Sequence, residues 1–116
     1  MNDWNPRRNV PAKPAQALPA ENDHVGPVLE GDGQVVEAII AAIRETHPDV
    51  TVIDRGGYLR VLVPHRCVIK RAAVERALGR PFRLPGDLEL VMPSFKGAID
   101  VSHDQVIWEW QSERTS

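Results

Sequence analysis

An apolar stripe between residues 35 and 43 constrains the fold of this chain more than any other sequence feature. Its members recur at the three- and four-residue spacing of one helix face, and the charged residues around them fall off that face. The spacing predicts an amphipathic helix that ends near His47, because Pro48 disfavours helical backbone in the residue before it. Asp32 is the predicted N-cap. The stripe consists of Val35, Val36, Ile39, Ile40 and Ile43.

Short β-type runs flank this helix on both sides. Val25–Leu29 is an extended piece, which Pro27 restricts to a sheet edge or a strand start because proline has no N–H to donate. After the helix, Val50–Ile53 and Tyr58–Val63 are rich in β-branched and aliphatic residues and predict two strands. Asp54–Gly57 separates them and predicts a turn.

The second half of the chain predicts one more helix and three strands. The helix extends from about Ile69 to Leu78, where Gly79 suits the position after the last helical residue and Pro81 follows as a stop. The element order is then βαββ followed by αβββ. This order predicts an α+β fold: a compact two-layer domain with two helices packed on a mixed or antiparallel sheet. The three strands are expected at Leu88–Met92, Ala98–Val101 and Val106–Gln111.

The first 23 residues differ from the rest and predict a disordered tail. They hold four of the ten prolines and no helical or alternating pattern, so they bury too little apolar surface to offset the entropy of ordering. We divide the chain into a tail (residues 1–23), a folded domain (24–112) and a C-terminal end (113–116). With one cysteine, no secretory leader in residues 1–20 and no apolar run near the roughly 20 residues of a bilayer span, the chain is expected in the cytoplasm.

No arrangement of chemically active side chains predicts a catalytic, cofactor or metal site. Glu21–His24 contains one Glu-x-x-His pair, but a di-iron bundle needs a second pair and further helix-borne carboxylates. Cys67 lies two residues after His65, yet two more ligands at zinc spacing are missing, and a buried thiol is the simpler interpretation. Ser94 does not lie in a Gly-x-Ser-x-Gly elbow. The sequence therefore favours a protein that binds a partner.

The distribution of charge is more informative than its sum. The formal net charge of −2 does not favour nucleic acid or an anionic membrane as a partner. Residues 60–83 carry seven basic side chains and one acid, a net +6, whereas segments 24–59 and 84–116 each carry six acids and two basic residues, a net −4. A dipolar surface of this kind orients a protein on its partner. RNA recognition is disfavoured, because Gly57 stands where the first stacking aromatic belongs.

Five short motifs follow one another between about residues 24 and 110. They are Val25-Gly26-Pro27-Val28, Asp54-Arg55-x-x-Tyr58-Leu59-Arg60-Val61, Val74-Glu75-x-x-Leu78-Gly79-Arg80-Pro81-Phe82, Leu88-Glu89-Leu90 and Ser94-Phe95-x-Gly97-x-Ile99. In this order they resemble the effector, or coupling, proteins of bacterial multicomponent di-iron monooxygenases. The resemblance is strongest to the toluene and alkene monooxygenase branch.

The resemblance implies a regulatory protein without a cofactor, whose partner, the hydroxylase, carries the di-iron site. Such effectors bind the hydroxylase near that site and control oxygen activation, substrate access and the timing of electron transfer. Ferredoxin and reductase compete for an overlapping surface; the free effector is expected to be a monomer, with no nucleic-acid or membrane partner. The residues predicted to dock on the hydroxylase are Val25, Gly26, Pro27, Arg55, Tyr58, Arg80, Pro81, Phe82, Ser94, Phe95 and Gly97.

Several of these residues also have a purely structural interpretation. Gly26 and Gly97 are explained by backbone geometry, and Tyr58, Phe82 and Phe95 by packing in the core. Two other functions stay open: a stand-alone module that binds a small ligand or RNA, and a small enzyme with a cysteine nucleophile. The substrate of the parent monooxygenase also stays open between aromatic hydrocarbons, isoprene and other alkenes, because its pocket lies in another chain.

Overall fold

The computed structural model of the protein describes residues 23–31 and 33–111. The predicted tail up to residue 22, the predicted cap Asp32 and the C-terminal end from residue 112 lie outside the described residues. Among the described helices, none is both long enough and apolar enough to cross a bilayer. The elements are β1 (His24–Glu30), α1 (Gln34–Thr46), β2 (Thr51–Asp54), β3 (Tyr58–Pro64), β4 (Arg66–Lys70), α2 (Arg71–Leu78), α3 (Gly86–Glu89), β5 (Ser94–Lys96), β6 (Ala98–Val101) and β7 (Gln105–Glu109).

Two antiparallel sheets form the body of the domain. The larger has the strand order β2-β3-β1-β5 and the smaller has the order β4-β7-β6. His65, the one residue between β3 and β4, has φ 66° and turns the chain from one sheet into the other. Its N–H donates to the carbonyl of Asp23, and its own carbonyl accepts from the N–H of Trp110, both at 2.8 Å. The predicted α+β class is confirmed, although the strands divide into two sheets.

The first helix follows the predicted pattern closely. α1 buries Val36, Ile39 and Ile43 together with two alanines, and it packs against α2 and β4. It ends where Pro48 predicts, with the N–H of His47 donating to the carbonyl of Ile43 at 2.9 Å. The imidazole Nε2 of His47 then accepts the N–H of Val68 at 3.0 Å, which ties the end of α1 to β4. The apolar periodicity thus identified the buried face of this helix, and Pro48 identified its end.

Strand β1 corrects the expectation that Pro27 forces an edge position. β1 lies inside the larger sheet, between β3 and β5. Its pairing with β3 includes Val25 and Val28 but omits the Gly26–Pro27 step, where the missing N–H of proline interrupts the ladder. A Cβ on Gly26 would stand 2.2 Å from the carbonyl oxygen of Val61. The glycine therefore lets β3 approach closely at the position where proline cannot pair.

Four further assignments differ from the predicted ones. Ile69 and Lys70 belong to β4, which the sequence analysis missed, so α2 starts at Arg71. Residues 88–92 form no strand: the chain makes the short helix α3, from which only the side chain of Leu88 is buried, and then a turn. The three-residue strand β5 was also missed, and β7 is shorter than predicted.

The core joins both sheets and the helices. Trp108 on β7 and Phe82 after α2 are the largest fully buried side chains, with Ile39 from α1 and Ile69 from β4 among their apolar neighbours in the same cluster. Burial of side chains of this size stabilises the fold by about 1.5–3 kcal/mol each. The core therefore fixes the relative positions of β1 and the loop after α2, which carry six of the candidate docking residues.

Candidate docking surface

The β2–β3 turn and the loop before β5 meet at one end of the larger sheet. Glu30, the last residue of β1, stands opposite Tyr58 in β3, and its N–H donates to the carbonyl of Val91 at 2.8 Å. The N–H of Arg55 donates to the carbonyl of Tyr58 at 2.7 Å and closes the turn. Tyr58 and the loop that carries Leu90 therefore flank the end of β1 from its two sides. We call Arg55, Tyr58 and Leu90 the turn-end surface.

Two large apolar side chains of this surface are exposed. Among the described residues Leu90 is the most exposed large apolar side chain, at 81%, and Tyr58 is 46% exposed. A single exposed leucine is ordinary, but one that shares an end of the sheet with an exposed tyrosine is typical of an interaction surface. Sequence reasoning assigned Leu90 to a strand and so missed it. The available signal was an apolar run that leads directly into Pro93.

A groove of about 560 Å³ opens at the same end of the sheet. Its lining includes the apolar residues Val36 and Leu59 and the acidic residues Glu37 and Asp54. The Oδ1 atom of Asp54 accepts the N–H of a turn glycine at 2.8 Å, which holds the carboxylate in place. The rest of the lining consists of three glycines with positive φ and open space where a Cβ would stand: Gly31, Gly56 and Gly57.

Strand β5 places two predicted residues along the opposite edge of the larger sheet. Ser94 stands opposite Val28 and Phe95 stands opposite Pro27. Because side chains alternate along a strand, this register puts Ser94 on the same face as Tyr58 and Phe95 on the other face. Ser94 is exposed and Phe95 is 42% exposed. Both side chains are accessible, but they do not form one continuous face.

The loop after α2 is held by a network of charged groups. The carboxylate of Glu75 accepts the N–H of Phe82 at 2.9 Å and two bonds from the Arg71 guanidinium at 3.2 Å. Phe82 itself is buried in the core, whereas Arg80 and Pro81 are exposed. The predicted Arg80-Pro81-Phe82 motif therefore presents two residues to solvent and uses the third as its anchor.

The remaining predicted docking residues lie inside the domain. Val25, Gly26 and Pro27 are buried, and Gly97 is half-buried. A Cβ on Gly97 would stand 2.7 Å from Cγ1 of Val25, so this glycine allows β6 and β1 to approach. Direct contact of Val25 with a partner would require this part of the domain to open.

The structure weakens the alternative of a cysteine enzyme. Cys67 is fully buried, and desolvation raises the pKa of its thiol to about 12, so the thiolate nucleophile is scarce near neutral pH. Within residues 23–31 and 33–111, no three side chains of His, Cys, Asp or Glu are grouped so that they could hold a metal ion.

Ion pairs join the basic segment to the acidic segments. Arg66 pairs with Glu109 at 3.2 Å, and Arg76 pairs with Glu45 at 3.0 Å. Arg71 lies 3.4 Å from Asp104 in addition to its bonds with the α2 carboxylate. Three of the seven basic side chains of this segment are therefore paired with acids of the flanking segments. Exposed pairs of this kind contribute about 0–1 kcal/mol each to stability.

The sequence and the fold of this chain are similar to those of known proteins. A profile of the MmoB/DmpM family matches residues 23–109. The chain belongs to the MmoB/DmpM family. It is 39% identical over 90 residues to the effector subunit of the alkene monooxygenase system of Xanthobacter autotrophicus (strain ATCC BAA-1158 / Py2), a match that covers 76% of this chain and 87% of that protein.

Solved structures of two regulatory systems have a similar fold. A chain in a structure of a phenol hydroxylase–regulatory protein complex superposes with a TM-score of 0.67 at 26% identity, covering 76% of this chain and 99% of the other. The soluble methane monooxygenase regulatory protein B shares the fold, with a TM-score of 0.59 at 18% identity, covering 90% of this chain and 76% of that one. The predicted class is confirmed: the chain is an effector-type regulatory subunit of a multicomponent monooxygenase and is not itself the catalytic component.

Proposed function

We propose that this chain docks on the hydroxylase of a multicomponent di-iron monooxygenase near the metal site and controls oxygen activation, substrate access and the timing of electron transfer. The family match over residues 23–109 is the observation that carries the proposal. An effector changes the hydroxylase only if it binds one hydroxylase conformation better than another. The chain supplies this preference through surface complementarity, since the iron belongs to the partner.

The exposed members of the predicted set supply the contacts in this proposal. They are Arg55 and Tyr58 in the turn-end surface, Ser94 and Phe95 on β5, and Arg80 and Pro81 after α2. Leu90 joins them because of its 81% exposure. The buried members act differently: they set the strand geometry and the loop path that present these side chains. These are Val25, Gly26, Pro27, Phe82 and Gly97.

We infer an alkene as the substrate class of the parent enzyme, with an aromatic hydrocarbon as the second candidate. The relative at 39% identity is an effector subunit of an alkene monooxygenase system, and the chain matched at 26% identity belongs to a structure of a phenol hydroxylase–regulatory protein complex. In the proposed cycle the effector is a cytoplasmic monomer when free, and it shares part of its hydroxylase surface with ferredoxin or reductase. Its affinity must then be moderate, so that electron donors are able to exchange with it.

Reconstitution tests this function directly. The chain is titrated into its hydroxylase, ferredoxin and reductase with propene as the probe substrate, and epoxide formed is measured per NADH consumed. We expect both turnover and the epoxide-to-NADH ratio to rise to saturation near one effector per active site. If turnover and coupling stay the same with and without the chain, for propene and for toluene, the proposed function is wrong.

A matched pair of variants tests the turn-end surface. Leu90→Ala removes the most exposed apolar side chain of this surface, and Val101→Ala removes a 39% exposed apolar side chain from β6 of the other sheet. An interface anchor that becomes buried costs more than about 1 kcal/mol when truncated, so Leu90→Ala should raise the Kd for the hydroxylase by about tenfold. Val101→Ala should leave it within about twofold. Equal effects would remove Leu90 from the interface.

A further inference from the structure

We propose that the groove beside the turn-end surface receives a cationic side chain, by preference an arginine, from the hydroxylase. The proposal rests on the docking function above and adds a specific site to it. The groove takes its charge from Glu37 in the first turn of α1 and Asp54 at the end of β2. The half-buried Leu59 gives it an apolar surface of the kind on which the methylene stem of a long cationic side chain packs.

The two groove carboxylates stand apart from the ion pairs that link the described residues. Those pairs join acidic groups such as Glu45, Glu75 and Glu109 to arginines, and Asp23 to histidines, while Glu37 and Asp54 enter none of them. The Oδ1 atom of Asp54 accepts a hydrogen bond from a backbone N–H. A backbone N–H is uncharged, so this bond does not neutralise the carboxylate. A cation supplied by a partner is therefore the electrostatic complement of this groove.

The glycine backbone of the groove favours a planar hydrogen-bond donor, such as a guanidinium, that approaches the main chain closely. Gly31, Gly56 and Gly57 leave open space where side chains would otherwise project, so a ligand is able to approach the main chain. The N–H of Gly31 donates to the carbonyl of Gly57 at 3.0 Å, which closes the wall between β1 and the turn. A guanidinium offers five N–H donors in one plane, enough for two separate carboxylates and neighbouring carbonyls. An ammonium offers three donors from a single point.

Two isosteric substitutions test the groove with the full-length chain and its hydroxylase. Glu37→Gln and Asp54→Asn remove one charge each, and asparagine keeps the oxygen that accepts the turn N–H. Asp100→Asn on β6 removes one exposed charge from the other sheet and is the matched control. Because a hydrogen bond to a charged group is stronger than a neutral one, each groove variant should raise Kd about tenfold, and the control should change it by less than about twofold.

Two further measurements test the groove: the dependence of Kd on NaCl concentration and an NMR titration with a small guanidinium compound. We expect the wild-type Kd to rise with NaCl concentration and the double variant Glu37→Gln/Asp54→Asn to show a shallower rise, because fewer charges are screened. Independently of the hydroxylase, ethylguanidinium should shift the backbone amide NMR signals of Gly56 and Gly57 in a saturable way, and ethylurea should not.

The experiments distinguish an error in the groove proposal from an error in the proposed docking function. If the wild type binds the hydroxylase while the groove variants bind with the same Kd and salt dependence as Asp100→Asn, the groove proposal is overturned and the docking function stands. If the wild type does not bind the hydroxylase at all, the proposed function is overturned.

Discussion

Replacing Gly26 with alanine tests how the interior strand β1 tolerates Pro27. The new Cβ would stand 2.2 Å from the carbonyl oxygen and 3.1 Å from the carbonyl carbon of Val61. These are backbone atoms of β3, so no flexible side chain is able to move out of the way. Gly26 also has φ 147°, which an L-residue rarely adopts. Two separate penalties therefore act at this one position.

Gly31→Ala separates the two penalties. Gly31 has φ 103°, but nothing lies within 4 Å of the point that an alanine methyl group would occupy, so this substitution reports conformational strain alone. Strain of this kind costs about 1–2 kcal/mol. Overpacking against fixed atoms costs typically about 1–3 kcal/mol more. We therefore expect the free energy of unfolding to fall by about 2–5 kcal/mol for Gly26→Ala and by about 1–2 kcal/mol for Gly31→Ala.

Urea unfolding followed by circular dichroism measures both variants. With an m-value of about 1–3 kcal/mol/M, a loss near the middle of the expected range lowers the urea midpoint of Gly26→Ala by about 2 M. The lower entropy of the unfolded alanine chain affects both variants alike and cancels in their difference. If the two variants lose the same free energy of unfolding, the close approach of β3 does not contribute to stability and the explanation of the Gly26–Pro27 step is wrong.

Other predictions concern the α2 network and the buried thiol. Glu75→Gln weakens the acceptor for the N–H of Phe82 and the partner of Arg71, so the free energy of unfolding should fall by about 1–2 kcal/mol; an unchanged thermal midpoint would contradict this. The pKa of Cys67 is raised from 9.0 to about 12 in the folded state, so its neutral thiol stabilises the fold fully below pH 9, and this stability is lost as pH rises from about 9 towards 12. In Cys67→Ala the free energy of unfolding should fall less steeply over that pH window. In the native wild type the Cys67 thiol should react with a disulfide reagent at about pH 8 far more slowly than the same thiol in the urea-unfolded protein. Equal rates would show that the thiol is not buried.

The sequence was sufficient where a pattern is local. The α1 stripe and Pro48 predicted a helix that the structure places at Gln34–Thr46, and Asp54–Gly57 identified the turn between β2 and β3. It was insufficient where one residue fits two patterns. Ile69 suits the apolar face of α2 and also the inward face of β4, and only its pairing with Val106 decides for the strand.

Tertiary contacts decide the elements that were missed. A three-residue strand such as β5 has too little local preference to be recognised, and it exists because Ser94–Lys96 pairs with β1. Arg55 and Tyr58 were predicted as docking residues because the motif Asp54-Arg55-x-x-Tyr58 is local in the sequence. The groove was not found because Gly31, Glu37 and Asp54 belong to three different parts of the chain, which meet only after the sheet and α1 have packed together.

The interior position of β1 has a mechanical consequence. Residue 22 is bonded directly to Asp23, and β1 begins one residue later with strands hydrogen-bonded along both of its sides. A pull on the amino-terminal segment therefore loads many hydrogen bonds at once, along the strand axis, and does not peel them away one by one as at a sheet margin. A partner that binds this segment would therefore transmit force directly to an interior strand of the larger sheet.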